Sequence, residues 1–160
     1  MLRLLILAVI SLAASAHAAP ARLTEPAVRA FVAKQEQAWN AKDLRGYFAG
    51  FTADARFADR ARASDNSIVP NGTATLAQAQ AQARRFFAGS RFHETATVDR
   101  VEIAPDGRQA RVLGHEISRI ETPGRPARTL CAETEQIIVL DAGRLRSKGQ
   151  TDTAIRCPHG

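Results

Sequence analysis

The apolar positions between Ala27 and Asp59 follow two helical stripes and then give way to an acid-flanked strand. Phe31, Ala38 and Trp39 stand seven and eight positions apart on one helical face. Leu44, Tyr47, Phe48 and Phe51 repeat the i, i+3, i+4, i+7 spacing after a short break. That break, Asn40 to Asp43, predicts the end of a first helix and makes Asp43 the N-cap of a second. Thr52-Ala53-Asp54 then closes the second helix. A third helix is predicted over ATLAQAQAQARRFF, capped by Thr73 or Thr75 and ended at Gly89. Leu76, Ala79, Ala83, Phe86 and Phe87 form its apolar face. Ser64 to Gly72, rich in Asp, Asn, Ser and Pro, reads as a loop.

From Arg91 onward the period changes to two, and three turn signals divide the chain into four strands. These are Pro105-Asp106-Gly107, Pro123-Gly124-Arg125-Pro126 and Asp141-Ala142-Gly143. Antiparallel pairing about those turns gathers Phe92, Ala96, Val98, Leu113, Ile117, Leu130, Ala132, Ile138, Leu140, Leu145 and Ile155 on one face. That composition suits a surface covered by helices. The opposite face collects Glu116, Glu133, Glu135, Arg146, Lys148 and Asp152 among Val101, Val112, Ile120, Ile137 and Val139. Glu116, Glu133 and Asp152 come out as neighbours there, and the nearby Arg146 and Lys148 make a solvated charge ladder the preferred reading. A bulge would shift a strand by one residue and exchange the faces beyond it.

The N-terminal MLRLLILAVISLAASAHA joins Arg3, an apolar run from Leu4 to Leu12 and the small-residue motif Ala16-His17-Ala18. It reads as a cleavable signal peptide over residues 1–18, too short in its apolar run to span a bilayer. A single domain over residues 19–160, periplasmic or secreted, is expected. An oxidising compartment lets Cys131 and Cys157 form a disulfide that staples the C-terminal tail to the sheet. His93, His115 and His159 and the two cysteines have no CxxC or HxxxH spacing, so no metal site is expected. The net charge of +6 comes from dispersed arginines without interleaved aromatics, which argues against nucleic acid as a partner.

The long helix, polar corner, short helix and the run Phe51-Thr52-x-Asp54-Ala55-x-Phe57 resemble the opening of the nuclear transport factor 2-like superfamily. That group includes ketosteroid isomerases, scytalone dehydratases and SnoaL-like polyketide cyclases. The resemblance implies an α+β, cystatin-like fold: three helices packed on a curved, mostly antiparallel sheet, forming a cone with an apolar pocket. It further implies that Ser64 to Gly72 lies at the pocket rim, and that the outer sheet face makes a homodimer. It implies much less about what enters the pocket.

Against the ketosteroid isomerase pattern, Asp43, Asp54, Ala55 and Asp59 fall on positions where that family has the same residue. Its counterpart of Asp59 is the general base that moves a proton beside a carbonyl, work suited to a partly desolvated carboxylate. The family's helix-one tyrosine is replaced by Gln35, and its later-strand acid maps to Gln136, or to Glu135 if the hairpin is not trimmed. The electrophilic half of an isomerase site is thereby diminished. His115, placed on the core face by strand parity, would make an acid-base pair with Asp59 of the kind dehydratases use. The plainer readings are a core histidine bonded to a neighbour such as Thr134, and an Asp59 salt bridge to Arg60 or Arg62. Trp39, Tyr47, Phe57, Phe86 and Phe87 would line the wall between helices and sheet.

Two functions follow as expectations. The first is an exported SnoaL-like domain that binds a small apolar or amphipathic ligand through Gln35, Trp39, Tyr47, Phe57, Phe86 and Gln136, or serves as an interaction module. The second is an acid-base isomerase or dehydratase using Asp59 and His115. Neither calls for a cofactor.

Overall fold

A computed structural model describes residues 22–158. The expected signal peptide and His159 lie outside the described residues. The elements run α1 (Glu25–Asn40), α2 (Leu44–Ala49), β1 (Phe51–Arg62), β2 (Ile68–Thr75), α3 (Leu76–Gly89), β3 (Arg91–Ile103), β4 (Gln109–Glu121), β5 (Arg128–Asp141) and β6 (Arg144–Ile155). The strands form one six-stranded sheet in the order β2-β1-β6-β5-β4-β3. Every neighbouring pair is antiparallel except β1 and β6, which run parallel. The fold class is therefore α+β.

Each helix start is chemically marked. Thr24 caps α1, accepting from the Ala27 amide, and a proline occupies the first turn where its missing N–H costs nothing. The Asp43 side chain accepts from the Gly46 amide at 2.9 Å to cap α2. Of the two threonines that could cap α3, Thr75 does so. Its hydroxyl accepts from the Gln78 amide while the Gln78 side chain accepts from the Thr75 amide at 2.8 Å, a capping box.

β2 replaces part of the expected loop. Pro70, Asn71 and Gly72 suggest a break, yet β2 is the sheet's edge strand, where a residue without an N–H is tolerated. At the other edge, α1 supplies β3 with hydrogen bonds that a missing strand would otherwise provide. Asn40 donates to the Glu94 carbonyl and accepts from its amide, Glu36 accepts from the Ala96 amide, and Arg29 donates to the Val98 carbonyl. These four bonds satisfy the outer backbone of β3 and fix α1 against it.

The core has two parts. Leu23, Val28, Ala110, Val112 and Ile138 form one, with Phe31, Val98, Val101 and Leu145 packed around them. Phe48, Phe51, Ala55 and Ala83 form the other, beside Trp39, Tyr47, Phe57 and Leu76. Each large side chain buried here contributes about 2 kcal/mol of transfer free energy. Bulges fall at Asp59/Arg60, Val98/Arg100 and Gln136/Ile138. Where β6 passes β1, Gly149 adopts a φ of +134°, and a Cβ there would lie 1.7 Å from the Arg56 carbonyl oxygen. Only glycine fits.

The face assignment of β4 is corrected. Val112 and Ile120 are each 4% exposed and point toward the helices, whereas Ile117 is 46% exposed on the outer face. His115 stands opposite Thr97 and Glu133, and Glu116 opposite Ala96 and Ala132, a register one residue away from that expected. His115 therefore leaves the core face and Glu116 enters it. The bulge between Gln136 and Ile138 likewise brings Asp152 inward while Arg146 and Lys148 stay outside. Cys131 and Cys157 are joined, with Cα atoms 5.2 Å apart, tying the segment after β6 to β5.

Candidate functional site

A cavity of about 980 Å³ lies between the helices and the inner face of the sheet. Its wall is aromatic. Trp39 packs at ring-centre distances of 4.8 Å from Tyr47, 4.7 Å from Phe87 and 5.8 Å from Phe92, and Phe86 meets Phe92 at 5.3 Å. Phe48 and Phe57 complete it. Such tilted and edge-on pairs are the geometries aromatic rings favour.

The sheet supplies a row of acids. Glu94 on β3, Glu116 on β4, Asp152 on β6 and Asp59 on β1 all line the cavity. Asp59 stands directly beside Asp152 in the parallel β1 and β6 register, and on the intervening β5 Ala132 lies opposite Glu116 and Thr134 opposite Asp152. Ser118 donates to Glu94 at 3.1 Å and Gln150 to Asp152 at 2.8 Å. Among the described residues no group donates to Glu116.

Burial and mutual repulsion make these carboxyls reluctant to ionise. Glu116 is pushed up to about 9, first by burial and then by Asp152, Glu94 and Asp59. Burial raises Glu94 to about 7 against the opposing bond from Ser118, with Asp152 and Glu36 adding to the rise. Asp152 is raised to about 6 by burial, with Asp59 contributing. The same burial, then the charges of Asp152, Glu94 and Glu116, holds the Tyr47 phenol well above its ordinary value. At neutral pH the row therefore contains both proton-holding and ionised carboxyls within one hollow.

A smaller chamber of about 60 Å³ adjoins the main cavity, sharing Trp39, Tyr47, Glu94, Glu116 and Gln150 with it. Gln35, Glu36, Thr134 and Gln136 are also among its lining residues. Gln136 donates to Gln35 at 2.9 Å, and both are 7% exposed. The Gln35 Nε2 is buried with no hydrogen-bond partner. Gln35 and Gln136, 101 residues apart in sequence, thus meet.

The sequence-chosen residues are thus divided. Asp59, Trp39, Tyr47, Phe57 and Phe86 line the main cavity, and Gln35 and Gln136 line the chamber beside it. His115 does not join Asp59. Its Nδ1 lies 3.0 Å from the Asp99 carboxylate on the outer face, and Thr134 faces the chamber instead of His115. Arg62 pairs with Glu133, and Arg111 with Glu135 at 2.8 Å, both outside. Sequence reasoning missed Glu94 altogether and placed Glu116 and Asp152 on the wrong side. Their common signal was alternation: Glu94 shares a face with Phe92 and Ala96. Among the described residues no group of three or more His, Cys, Asp or Glu is arranged to hold a metal ion, and no helix is long and apolar enough to cross a membrane.

No family model matches the chain, and neither does any curated protein. Solved structures do. A protein provisionally named a scytalone dehydratase from Novosphingobium aromaticivorans superposes with a TM-score of 0.70 at 13% identity, over 82% of this chain and 83% of that one. A conserved protein from Planctomyces limnophilus gives 0.66 at 14% identity, over 82% and 95%. A ketosteroid isomerase-like protein from Erwinia carotovora atroseptica gives 0.63 at 10% identity, over 82% and 96%. The chain has the fold of the nuclear transport factor 2-like superfamily.

Proposed function

We propose that this chain is an exported, SnoaL-like domain whose cone of helices and sheet holds a small amphipathic molecule. The observation that carries the reading is the aromatic-walled cavity of about 980 Å³ with carboxyls converging on one side, a combination of apolar wall and few polar groups typical of ligand sites. The leader-like N-terminus and the Cys131 to Cys157 bond support export. Trp39 is the chain's single tryptophan and lies on the cavity wall, so its fluorescence reports occupancy directly. Native mass spectrometry of protein purified from the periplasm should retain a bound small molecule, and extracting it should change the Trp39 emission. An unliganded protein whose emission responds to no aromatic amphiphile overturns the reading.

A second reading is favoured by one specific observation, the presence of Asp59 in the same hollow as the proton-holding Glu116. In it Asp59 removes a proton beside a carbonyl and Glu116 supplies one, with no part for His115. Deuterium exchange into carbonyl compounds should then fall by about a hundredfold or more in Asp59→Asn. Equal exchange in variant and wild type removes this reading and leaves the first.

A further inference from the structure

We propose that the bond between Cys131 and Cys157 is a redox latch on the cavity: oxidised, it holds the segment after β6 in place as part of the wall, and its reduction by a dithiol frees that segment and releases a bound ligand. This rests on the reading of the hollow as a ligand site and adds how that site is regulated.

Both ends of the bond belong to the cavity lining. Cys131 lies on β5 between Leu130 and Ala132, and all three line the cavity. Arg156, Cys157 and Pro158 line it too, next to Ala154 and Ile155 at the end of β6. The ladder between β5 and β6 stops at the pair Cys131 and Ile155. Beyond it Arg156, Cys157 and Pro158 have no regular structure, and among the described residues no backbone hydrogen bond holds them. The disulfide is what ties this stretch of wall to β5. When it opens, the three residues regain conformational freedom that no ladder opposes. A ligand must then order them again as it binds, which lowers its affinity.

The step is a thiol–disulfide exchange. A thiolate of the dithiol attacks the sulfur of Cys157, the more exposed partner, Cys131 being 5% exposed. The S–S bond breaks, and Cys131 leaves as a thiolate that takes up a proton. The second thiol of the reductant then displaces Cys157 as a thiol and leaves the reductant as a disulfide. Two electrons and two protons pass from the dithiol to the protein.

Prodan, an uncharged naphthyl ketone whose emission reports an apolar site, tests the latch, and energy transfer from Trp39 on the cavity wall marks the probe as bound there. Titrated into the oxidised full chain and into the chain reduced with dithiothreitol, prodan should bind at least about tenfold more weakly after reduction, as ordering the segment at each binding event implies. Reoxidation should restore the affinity. The double variant Cys131→Ser, Cys157→Ser should bind as the reduced chain does, with or without dithiothreitol. Hydrogen exchange on the same samples should rise in the peptide that contains Arg156 to Pro158 and stay unchanged across β1 to β4. Equal prodan affinity in the two redox states, or exchange that rises throughout the sheet, overturns the latch and leaves the ligand site standing. No prodan binding by either form overturns the site, and the latch with it.

Discussion

Replacing Glu116 by glutamine should stabilise the protein in mild alkali and change little in mild acid. In the folded chain this carboxyl is raised from 4.5 to about 9, by burial first and then by Asp152, Glu94 and Asp59. In the unfolded chain it titrates at its ordinary value. Between those two values the folded state keeps a proton that the unfolded state has released. The unfolded state binds fewer protons, so wild-type stability falls as pH rises through the window. Below the unfolded value both states are protonated and the penalty is absent. At pH 8 the group lies about 3.5 pH units above its unfolded value, an upper limit of about 5 kcal/mol at 1.36 kcal/mol per unit. Water entering the cavity reduces this, so Glu116→Gln should gain about 2 to 5 kcal/mol at pH 8. For a domain of this size that raises the melting midpoint by about 6 to 15 °C. Urea unfolding of both proteins at pH 4.5 and pH 8 measures it, with an unchanged slope against urea as the sign that only stability has moved. The reasoning is refuted if the variant is no more stable than wild type at pH 8, or if it gains equally at both pH values.

Gly149→Ala should cost at least about 3 kcal/mol, because the added Cβ would force the Arg56 carbonyl and hence β1 away from β6; a urea midpoint close to wild type would refute it. The double variant Cys131→Ser, Cys157→Ser should lose about 2 to 4 kcal/mol, since the bond closes a 26-residue separation worth about 3.5 kcal/mol in chain entropy. Equal denaturation midpoints would show that the bond stabilises nothing. The outer sheet face, where Ile117 is 46% exposed among the Arg62–Glu133, Arg111–Glu135 and His115–Asp99 pairs, is proposed to join two copies of the chain. Static light scattering at about 50 μM should give the mass of two chains, consistent with an interface of standard size, and a monomer at that concentration would refute it.

The helical half was readable because its signals are local. Asp43 and Thr75 cap helices through bonds that span three residues, and the stripe Leu44, Tyr47, Phe48, Phe51 needs no knowledge of distant chain. The sheet half depends on register, which is not local. The alternation of β4 is ambiguous by itself: Val112, Glu116, Ser118 and Ile120 on one face are no more apolar than Leu113, His115, Ile117 and Arg119 on the other. Pairing with β3 and β5 decides between them, and bulges at Val98/Arg100 and Gln136/Ile138 alter the count that turn positions alone provide. β2 was obscured by Pro70 and Gly72, which signal a loop unless the strand is known to lie at an edge.

The rule that apolar residues face inward fails here for a physical reason. The inner face of this sheet does not meet only a packed core. At one end Ala110, Val112 and Ile138 pack against Val28, while toward the other end the same face borders a hollow and carries Glu94, Glu116, Ser118 and Asp152. Residues lining a hollow can be polar without the full penalty of dry burial, provided something solvates them. For Glu116 no such partner is present among the described residues, and its neighbours are acids that disfavour its charge. Glutamine at that position would be the more stable choice for folding alone. Acids drawn from four separate strands into one cavity, at the predicted cost to folding, are what the proposed ligand site or proton transfer would require.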